Sequence, residues 1–251
     1  MSAELFEYLL RLGDDRLVLG HRLSEWCGHA PIVEEDIALA NLALDCIGQA
    51  SQFLALAGEL EGRGRDADAL AFFRDATQFR SCLLVEQPNG DFAQTIARQV
   101  LFDSAGADVL AQLSRSSDPR LAAIASKAAK EVRYHVRHGR EWWLRLGGGT
   151  EESHRRLQAA LDELWPFTPE LFTPDELDTA LCRAGIGADL AATRAHFERE
   201  VGALLEAAGL RRPPDPPFPA SGGRRGAHGE HLDHLTSEMQ SVARAHPGAQ
   251  W

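Results

Sequence analysis

The sequence predicts an all-α protein, and three properties of the chain support this fold class. Apolar residues recur every three or four positions through almost the whole length, which is the period of an amphipathic helix. Ala, Leu, Glu and Arg, which favour helices, are abundant, and runs of β-branched residues are few. With 251 residues and an apolar fraction of 44%, the chain is large enough to bury a substantial core.

Four long helices account for most of the first 146 residues. In chain order, their predicted ranges are 3–26, 34–60, 91–113 and 119–146. Asp91 and the Asp118–Pro119 pair are suited to the start of a helix, because the carboxylates cap free N–H groups and proline fits the first turn. The glycines at 62–64 and 147–149 are suited to helix ends.

A long connection separates the second helix from the third. We expect a short helix over 66–81, then extended chain and a turn over 83–90, where Pro88 and Asn89–Gly90 disfavour a helix. Four helices with one long crossover are typical of ferritin-like bundles. The predicted architecture is a single ferritin-like domain over 1–251, with a core bundle at about 3–146.

The C-terminal part is predicted to be a helical extension at about 150–251. Its helices are expected at 151–164, 174–184, 189–208 and 230–245. Between the last two lies a segment rich in proline and glycine, 211–226, which we expect to be mobile.

The charge and cysteine content exclude several classes of protein. Lys and Arg total 26 against 37 Asp and Glu, a net charge of −11 without a basic tract, which argues against nucleic acid and membrane partners. The four cysteines are dispersed and form no C-x-x-C pair, as expected of reduced thiols in the cytoplasm.

The first ten residues do not have the pattern of a signal peptide, and no apolar run approaches the ~20 residues that span a bilayer.

Near the middle of each helix, the four apolar stripes carry a set of candidate metal-site positions. In chain order they are Arg16, then Cys46 with Gln49, then Gln99 with Asp103, then Val132 with His135. A di-iron carboxylate bundle takes a Glu from each of two helices and Glu-x-x-His from each of the other two. The three-residue spacing persists here at 46/49 and 132/135, but only Asp103 and His135 are good iron ligands. We therefore interpret these positions as a vestigial metal site, with no catalytic residue and no metal.

A buried hydrogen-bonded network is the structural alternative for the same positions. A buried Arg16 needs a carboxylate partner, because an unpaired buried charge is costly. Asp103 is one candidate, and Asp14, Asp15 and Asp45 are the others.

A second cluster of polar residues lies near the C-terminus. His228, His231 and His234 are three residues apart, with Glu230 among them. A metal site, a contact with a partner or ligand, and simple capping and packing are the alternatives. The preceding Arg224 and Arg225 could meet an anionic group at the start of the final helix.

Motifs along the whole chain resemble one known family, the C subunits of bacterial ring-1,2-phenylacetyl-CoA epoxidases, which are ferritin-like. The stretches that carry the resemblance are LGD at 12–14, RLSEWCGHAP at 22–31, LAN at 39–41, LD at 44–45, GQA at 48–50, LLVEQPNG at 83–90, TIARQ at 95–99, KEVRYH at 130–135, EHL at 230–232 and EMQ at 238–240. In the catalytic relatives, the pattern Asp-Glu-x-Gly-His is similar to residues 45–49, so Cys46 and Gln49 replace two ligands. Val132 likewise replaces a Glu, while His135 is retained.

The resemblance implies a structural subunit of the epoxidase complex of aerobic phenylacetate catabolism, in which the chain pairs with the di-iron catalytic A subunit. It also implies a reductase with NADPH, FAD and iron–sulfur, and other small subunits. This chain would bind no cofactor itself. An independent di-iron oxidase with a distorted site, using Asp103, His135, Glu131 and Asp45, is one alternative, and a CoA-binding module is another.

Overall fold

The computed structural model describes residues 2–249 and confirms the all-α fold class. Within that stretch it contains eleven α-helices and three 3₁₀-helices, and no strand. The helices form two compact units, of which the first contains residues 2–88 and 221–249 and the second contains residues 89–220. The single domain over 1–251 stays a prediction.

The α-helices are numbered in chain order. They are α1 (Ser2–Ser24), α2 (Val33–Glu61), α3 (Ala67–Phe72), α4 (Leu83–Glu86), α5 (Phe92–Leu113), α6 (Pro119–Gly147), α7 (Glu151–Leu164), α8 (Glu176–Arg183), α9 (Leu190–Ala208), α10 (Glu230–Met239) and α11 (Ser241–Ala245). The 3₁₀-helices are Ala76–Gln78, Trp165–Phe172 and Gly223–Arg225. The four long predicted helices are thus present, as α1 and α2 in the first unit and α5 and α6 in the second.

In the first unit, α1 and α2 form an antiparallel pair that Gly20 allows to pack closely. A Cβ atom at Gly20 would lie 2.9 Å from Cγ1 of Ile47 and 3.2 Å from both the Ala43 carbonyl oxygen and Cβ of Cys46. The predicted apolar stripe of α2 is buried at Leu39, Leu42, Cys46, Gln49, Phe53 and Leu56, and half-buried at Leu60. Helix α2 is capped at its C-terminal end by Gly62, whose φ of 67° favours glycine.

The connection after α2 differs from the prediction. The helix expected over 66–81 ends at Phe72, and the 3₁₀-turn begins after Asp75, whose N–H donates to Oε1 of Gln78. Arg74, between them, is buried and turned toward α1, where it binds Asp14. The segment expected to be extended over 83–90 instead begins with the single turn of α4, which buries Leu84 and Val85.

The C-terminal segment of the first unit is also more closely packed than its composition indicates. Gly226, within the segment predicted to be mobile, has a φ of 79°, and a Cβ atom there would lie 2.0 Å from the Thr77 carbonyl oxygen. The single helix predicted over 230–245 is interrupted at Gln240. The Gln240 side chain donates hydrogen bonds to the carbonyl oxygens of Ala71 and Arg74, which anchors this break on the unit.

In the second unit, α5 and α6 form another antiparallel pair, and their starts are capped as predicted. Asp91 accepts a hydrogen bond from Gln94 N, and Asp118 accepts one from Leu121 N. The predicted stripe of α6 is correct from Leu121 to Gly139, but Trp143 is fully buried while the predicted Trp142 is only half-buried. The α-helical repeat of 3.6 residues drifts away from a seven-residue pattern over this length, which moves the buried face by one position.

The rest of the second unit packs around α5 and α6. Helices α7 and α9 lie where they were predicted, within two residues. Between α7 and α8 the chain forms the 3₁₀-helix Trp165–Phe172, which was not predicted from the sequence. Pro166 and Pro169 disfavour an α-helix in this segment. Among residues 2–249, no helix combines the length and apolarity needed to cross a bilayer.

Candidate functional site

The predicted site positions of the first unit all lie in its interior. Arg16 on α1 is buried, and Cys46 and Gln49 on α2 are buried as well. Cys46 lies at a close approach of α1 and α2, next to Gly20, and it forms no disulfide within residues 2–249. These three side chains offer a guanidinium, a thiol and an amide, and none of them is a carboxylate or imidazole ligand.

The predicted positions of the second unit converge between α5 and α6. Nε2 of Gln99 donates a hydrogen bond to Oδ2 of Asp103. The same Asp103 oxygen lies 3.8 Å from Nδ1 of His135, and both side chains are fully buried. Val132, one turn before His135, is also buried and presents only methyl groups. The carboxylate of Asp103 and the imidazole of His135 are therefore neighbours, as the helix periods predict.

The remaining candidate ligands for a distorted metal site are less buried than Asp103 and His135. Glu131 and Asp45 are half-buried. Among residues 2–249, no group of three or more His, Cys, Asp or Glu side chains has an arrangement that could hold an ion.

Sequence reasoning missed a different polar cluster, inside the first unit, which we call the ionic clasp. It consists of three buried acidic residues and three basic partners: Asp14 with Arg74, Asp15 with Arg224, and Glu86 with His228. Buried carboxylates are tolerated only when charge and hydrogen bonds compensate for the lost water.

The first pair of the clasp joins α1 to the connection after α3. Both terminal nitrogens of Arg74 bind the Asp14 carboxylate, with Nη1 3.0 Å from Oδ2. The Arg80 backbone N–H donates to the same oxygen at 2.7 Å. Because Asp14 thereby receives a bidentate guanidinium and a backbone donor, its charge is compensated inside the protein.

The second pair joins α1 to the C-terminal segment. Nη1 and Nη2 of Arg224 lie 2.9 and 2.8 Å from the two oxygens of Asp15, and the Cys82 N–H donates to Asp15 Oδ1 at 2.7 Å. The anionic group that the sequence suggested for Arg224 is therefore an internal carboxylate. Both Asp14 and Asp15, which were candidates to neutralise Arg16, bind other arginines.

The third pair is built around His228. Its Nδ1 lies 2.9 Å from Oε2 of Glu86 and its Nε2 lies 3.0 Å from the Phe79 carbonyl oxygen. Gly229 N donates to the other Glu86 oxygen at 2.9 Å. Since both ring nitrogens face acceptors, only the imidazolium can donate to both.

The electrostatics agree with a protonated ring at His228. Burial disfavours the charged form, but the hydrogen bonds to Glu86 and the Phe79 carbonyl and the negative charges of Glu86 and Asp14 outweigh it. Together they raise the pKa of His228 above its ordinary value of 6.5.

The three C-terminal histidines do not converge on one point. His228 uses both nitrogens within the clasp, His231 is half-buried, and His234 is exposed. The His231 backbone carbonyl accepts a hydrogen bond from Nη2 of Arg22, which also binds the Glu86 carbonyl. Of the alternatives for this cluster, the observed contacts of His228 and His231 correspond to packing and capping, and His228 has no ring nitrogen left for a metal.

The all-helical composition and the close antiparallel helix pairs define a protein of the ferritin-like class. The chain belongs to the family of phenylacetic acid catabolic proteins, whose family model matches residues 1–251. It is 51% identical over 248 residues to the C subunit of the 1,2-phenylacetyl-CoA epoxidase of Escherichia coli (strain K12), and the alignment covers 99% of each chain. These findings confirm the resemblance inferred from the sequence motifs.

Proposed function

We propose that this chain is a non-catalytic structural subunit of a multicomponent phenylacetyl-CoA 1,2-epoxidase. It would pair with the di-iron catalytic A subunit and hold its ligand helices in register. The observation that carries the proposal is the 51% identity, over nearly the full length, to a protein named as the C subunit of that enzyme. A reductase with NADPH, FAD and iron–sulfur and the other small subunits would complete the complex. We place this complex in the cytoplasm, where the four cysteines of this chain would stay reduced.

The chemistry of the donor set supports a role without iron for this chain. Two iron ions need several carboxylate oxygens to neutralise their charge, together with two imidazoles. At the equivalent positions this chain has Arg16, Cys46, Gln49 and Val132, and only Asp103 and His135 remain as good ligands. Asp103 already accepts a hydrogen bond from Gln99. These residues do not fit a di-iron centre.

Iron analysis by plasma emission spectroscopy tests this proposal. We expect no iron in the chain purified alone and about two irons per heterodimer when the catalytic A subunit is co-expressed. His135→Ala serves as the control, because the heterodimer should keep its iron when this residue is changed.

Near-stoichiometric iron in the lone chain, lost in His135→Ala, would instead establish the independent di-iron oxidase. Titration calorimetry of the lone chain with CoA tests the remaining alternative, which is a CoA-binding module. Saturable binding would favour a CoA-binding module, and the structural role predicts no binding heat.

A further inference from the structure

Helix α2 carries a second, outward-facing row of residues opposite its buried stripe. We call it the outer seam, and it consists of the exposed residues Ile37, Asn41, Leu44, Gly48, Ser51 and Ala55. The intervals between them are alternately four and three residues, which is the 3.5-residue spacing of a helix seam that packs against another helix. This row is therefore arranged like an interhelical contact that has no partner among residues 2–249.

The composition of the outer seam is not that of a solvated surface. Charged residues make up 25% of the chain, yet the seam contains none. Leu44 is 66% exposed and Ile37 is 57% exposed. Large apolar side chains opposite the buried stripe of a helix favour a second contact, because each exposed apolar side chain forgoes the gain of leaving water.

The seam also has a definite shape. Its N-terminal half has the large side chains of Ile37 and Leu44, and its C-terminal half is formed by Gly48, Ser51 and Ala55. A Cβ atom at Gly48 would have no neighbour within 4 Å, so the groove at this point is open. Small residues at a helix contact let a second backbone approach closely, while large ones insert into holes on the partner.

Charge selects between the possible occupants of the seam. Glu34 precedes the seam and Glu59 follows it, and both side chains are exposed. In an antiparallel contact between two copies, the Glu34 end of one helix would meet the Glu59 end of the other. Like charges at both ends, on chains of net charge −11, disfavour a second copy.

Area sets the extent of the contact. From Ile37 to Ala55 the helix rises about 27 Å, and a strip roughly 10 Å wide along it covers about 270 Å². A stable interface buries about 800 Å² on each partner. The outer seam can therefore be the apolar centre of an interface whose remaining area lies on residues around it.

We propose that the outer seam is the docking surface for a helix of the catalytic A subunit, with basic residues at both ends of that helix to meet Glu34 and Glu59. This inference rests on the proposed function, because it locates the surface by which the two subunits pair. The partner helix inserts large apolar side chains beside Gly48 and presents small residues to Ile37 and Leu44.

A matched pair of glycine substitutions tests the proposal. Gly48 and Gly202 are both exposed helical glycines, and neither would have an atom within 4 Å of an added Cβ. Gly48→Arg and Gly202→Arg should therefore both fold, with equal or better helix stability. We expect Gly48→Arg to weaken binding to the purified A subunit about 30-fold or more, because it places an unpaired charge in the centre of the interface, and Gly202→Arg to leave the affinity unchanged.

A charge reversal tests the chemistry of the partner. The double variant Glu34→Lys, Glu59→Lys should slow association about tenfold at low salt and have little effect at high salt, because exposed charges act mainly on the association rate. An unchanged rate would overturn the basic ends assigned to the partner helix.

The outcomes distinguish this inference from the proposed function. If the wild-type chain binds the A subunit and Gly48→Arg binds equally well, the outer seam is not the docking surface although the pairing stands. If the wild-type chain does not bind the A subunit, both proposals fail. If sedimentation shows a dimer of the lone chain that Gly48→Arg abolishes, the occupant is a second copy and our assignment of the partner is wrong.

Discussion

His228 couples protonation to the attachment of the C-terminal segment within the first unit. Its two nitrogens donate to a carboxylate of α4 and to the Phe79 carbonyl, so the ring must carry a proton on each to satisfy both acceptors. Its pKa is raised above 6.5 in the folded chain. The folded state therefore binds this proton more tightly than the unfolded state does, and the excess binding contributes to the free energy of unfolding.

The residue-scale prediction concerns His228→Asn. The contribution of His228 is complete below the unfolded-state pKa of 6.5 and is lost as the pH rises through the higher folded-state pKa. We expect the variant to lose about 1.5–3 kcal/mol of unfolding free energy near pH 6, because a charged hydrogen bond is removed, and less at higher pH. Urea denaturation of the wild-type protein and the variant, near pH 6 and again at a pH above the folded-state pKa of His228, measures the difference.

His234→Asn is the control for this experiment, because His234 is exposed on the same segment. Its effect should stay within about 0.5 kcal/mol at every pH. A loss for His228→Asn that does not vary with pH would show that the ring is neutral in the folded protein.

At the scale of the element, glycines determine how closely the helices of a pair can pack. Gly20 faces the backbone and side chains of α2, where an added Cβ would lie within 3.2 Å of three atoms. Gly139 on α6 similarly faces Val100 of α5, at 2.9 Å. Gly48, on α2, has open space instead. Gly20 and Gly139 therefore permit close packing of a helix pair while Gly48 does not take part in one, and neighbouring residues, not helix propensity, decide the difference.

The element-scale prediction compares Gly20→Ala with Gly48→Ala in the lone chain. Both changes gain about 1 kcal/mol of helix propensity. At Gly48 we expect that gain to appear as added stability. At Gly20 the methyl group must displace Ile47 and the Ala43 carbonyl, so we expect a net loss of about 1–3 kcal/mol. Thermal unfolding followed by circular dichroism measures both, and equal stabilisation by the two changes would contradict the close packing of α1 on α2.

At the scale of the whole molecule, the chain leaves the first unit at Pro88 and returns to it at Ser221. The returning segment brings Arg224 and His228, two of the three basic members of the ionic clasp. Without them, Asp15 and Glu86 would be buried carboxylates without their cationic partners, a large cost. The stability of the first unit therefore depends on residues more than 130 positions away in sequence.

The whole-molecule prediction concerns a chain that ends at Ala220. We expect backbone amides of residues 2–88 to lose protection from hydrogen exchange, because two buried carboxylates lose their partners, while α5, α6, α7 and α9 keep theirs. Mass spectrometry of peptides from exchanged protein measures both regions in one sample. Equal loss in the two regions would show that the units do not unfold independently.

Much of the fold was predictable, because helix periodicity and capping are local properties. The four long helices, the Asp91 and Asp118 caps and the α2 stripe all follow from residues within a few positions of one another. The proximity of Asp103 and His135 was also predictable once α5 and α6 were known to pair. The predictions failed at the connection after α2 and at Gln240, where side chains bind distant backbone or charge.

The sequence by itself determined the helical class, the bounds of the long helices and the family. Only the tertiary structure decided which cations neutralise Asp14, Asp15 and Glu86, and that both ring nitrogens of His228 face acceptors within the clasp. The physical reason is that helix patterns repeat over three or four residues. An ion pair depends on which charges the folded chain brings within about 4 Å, and sequence spacing carries no such information.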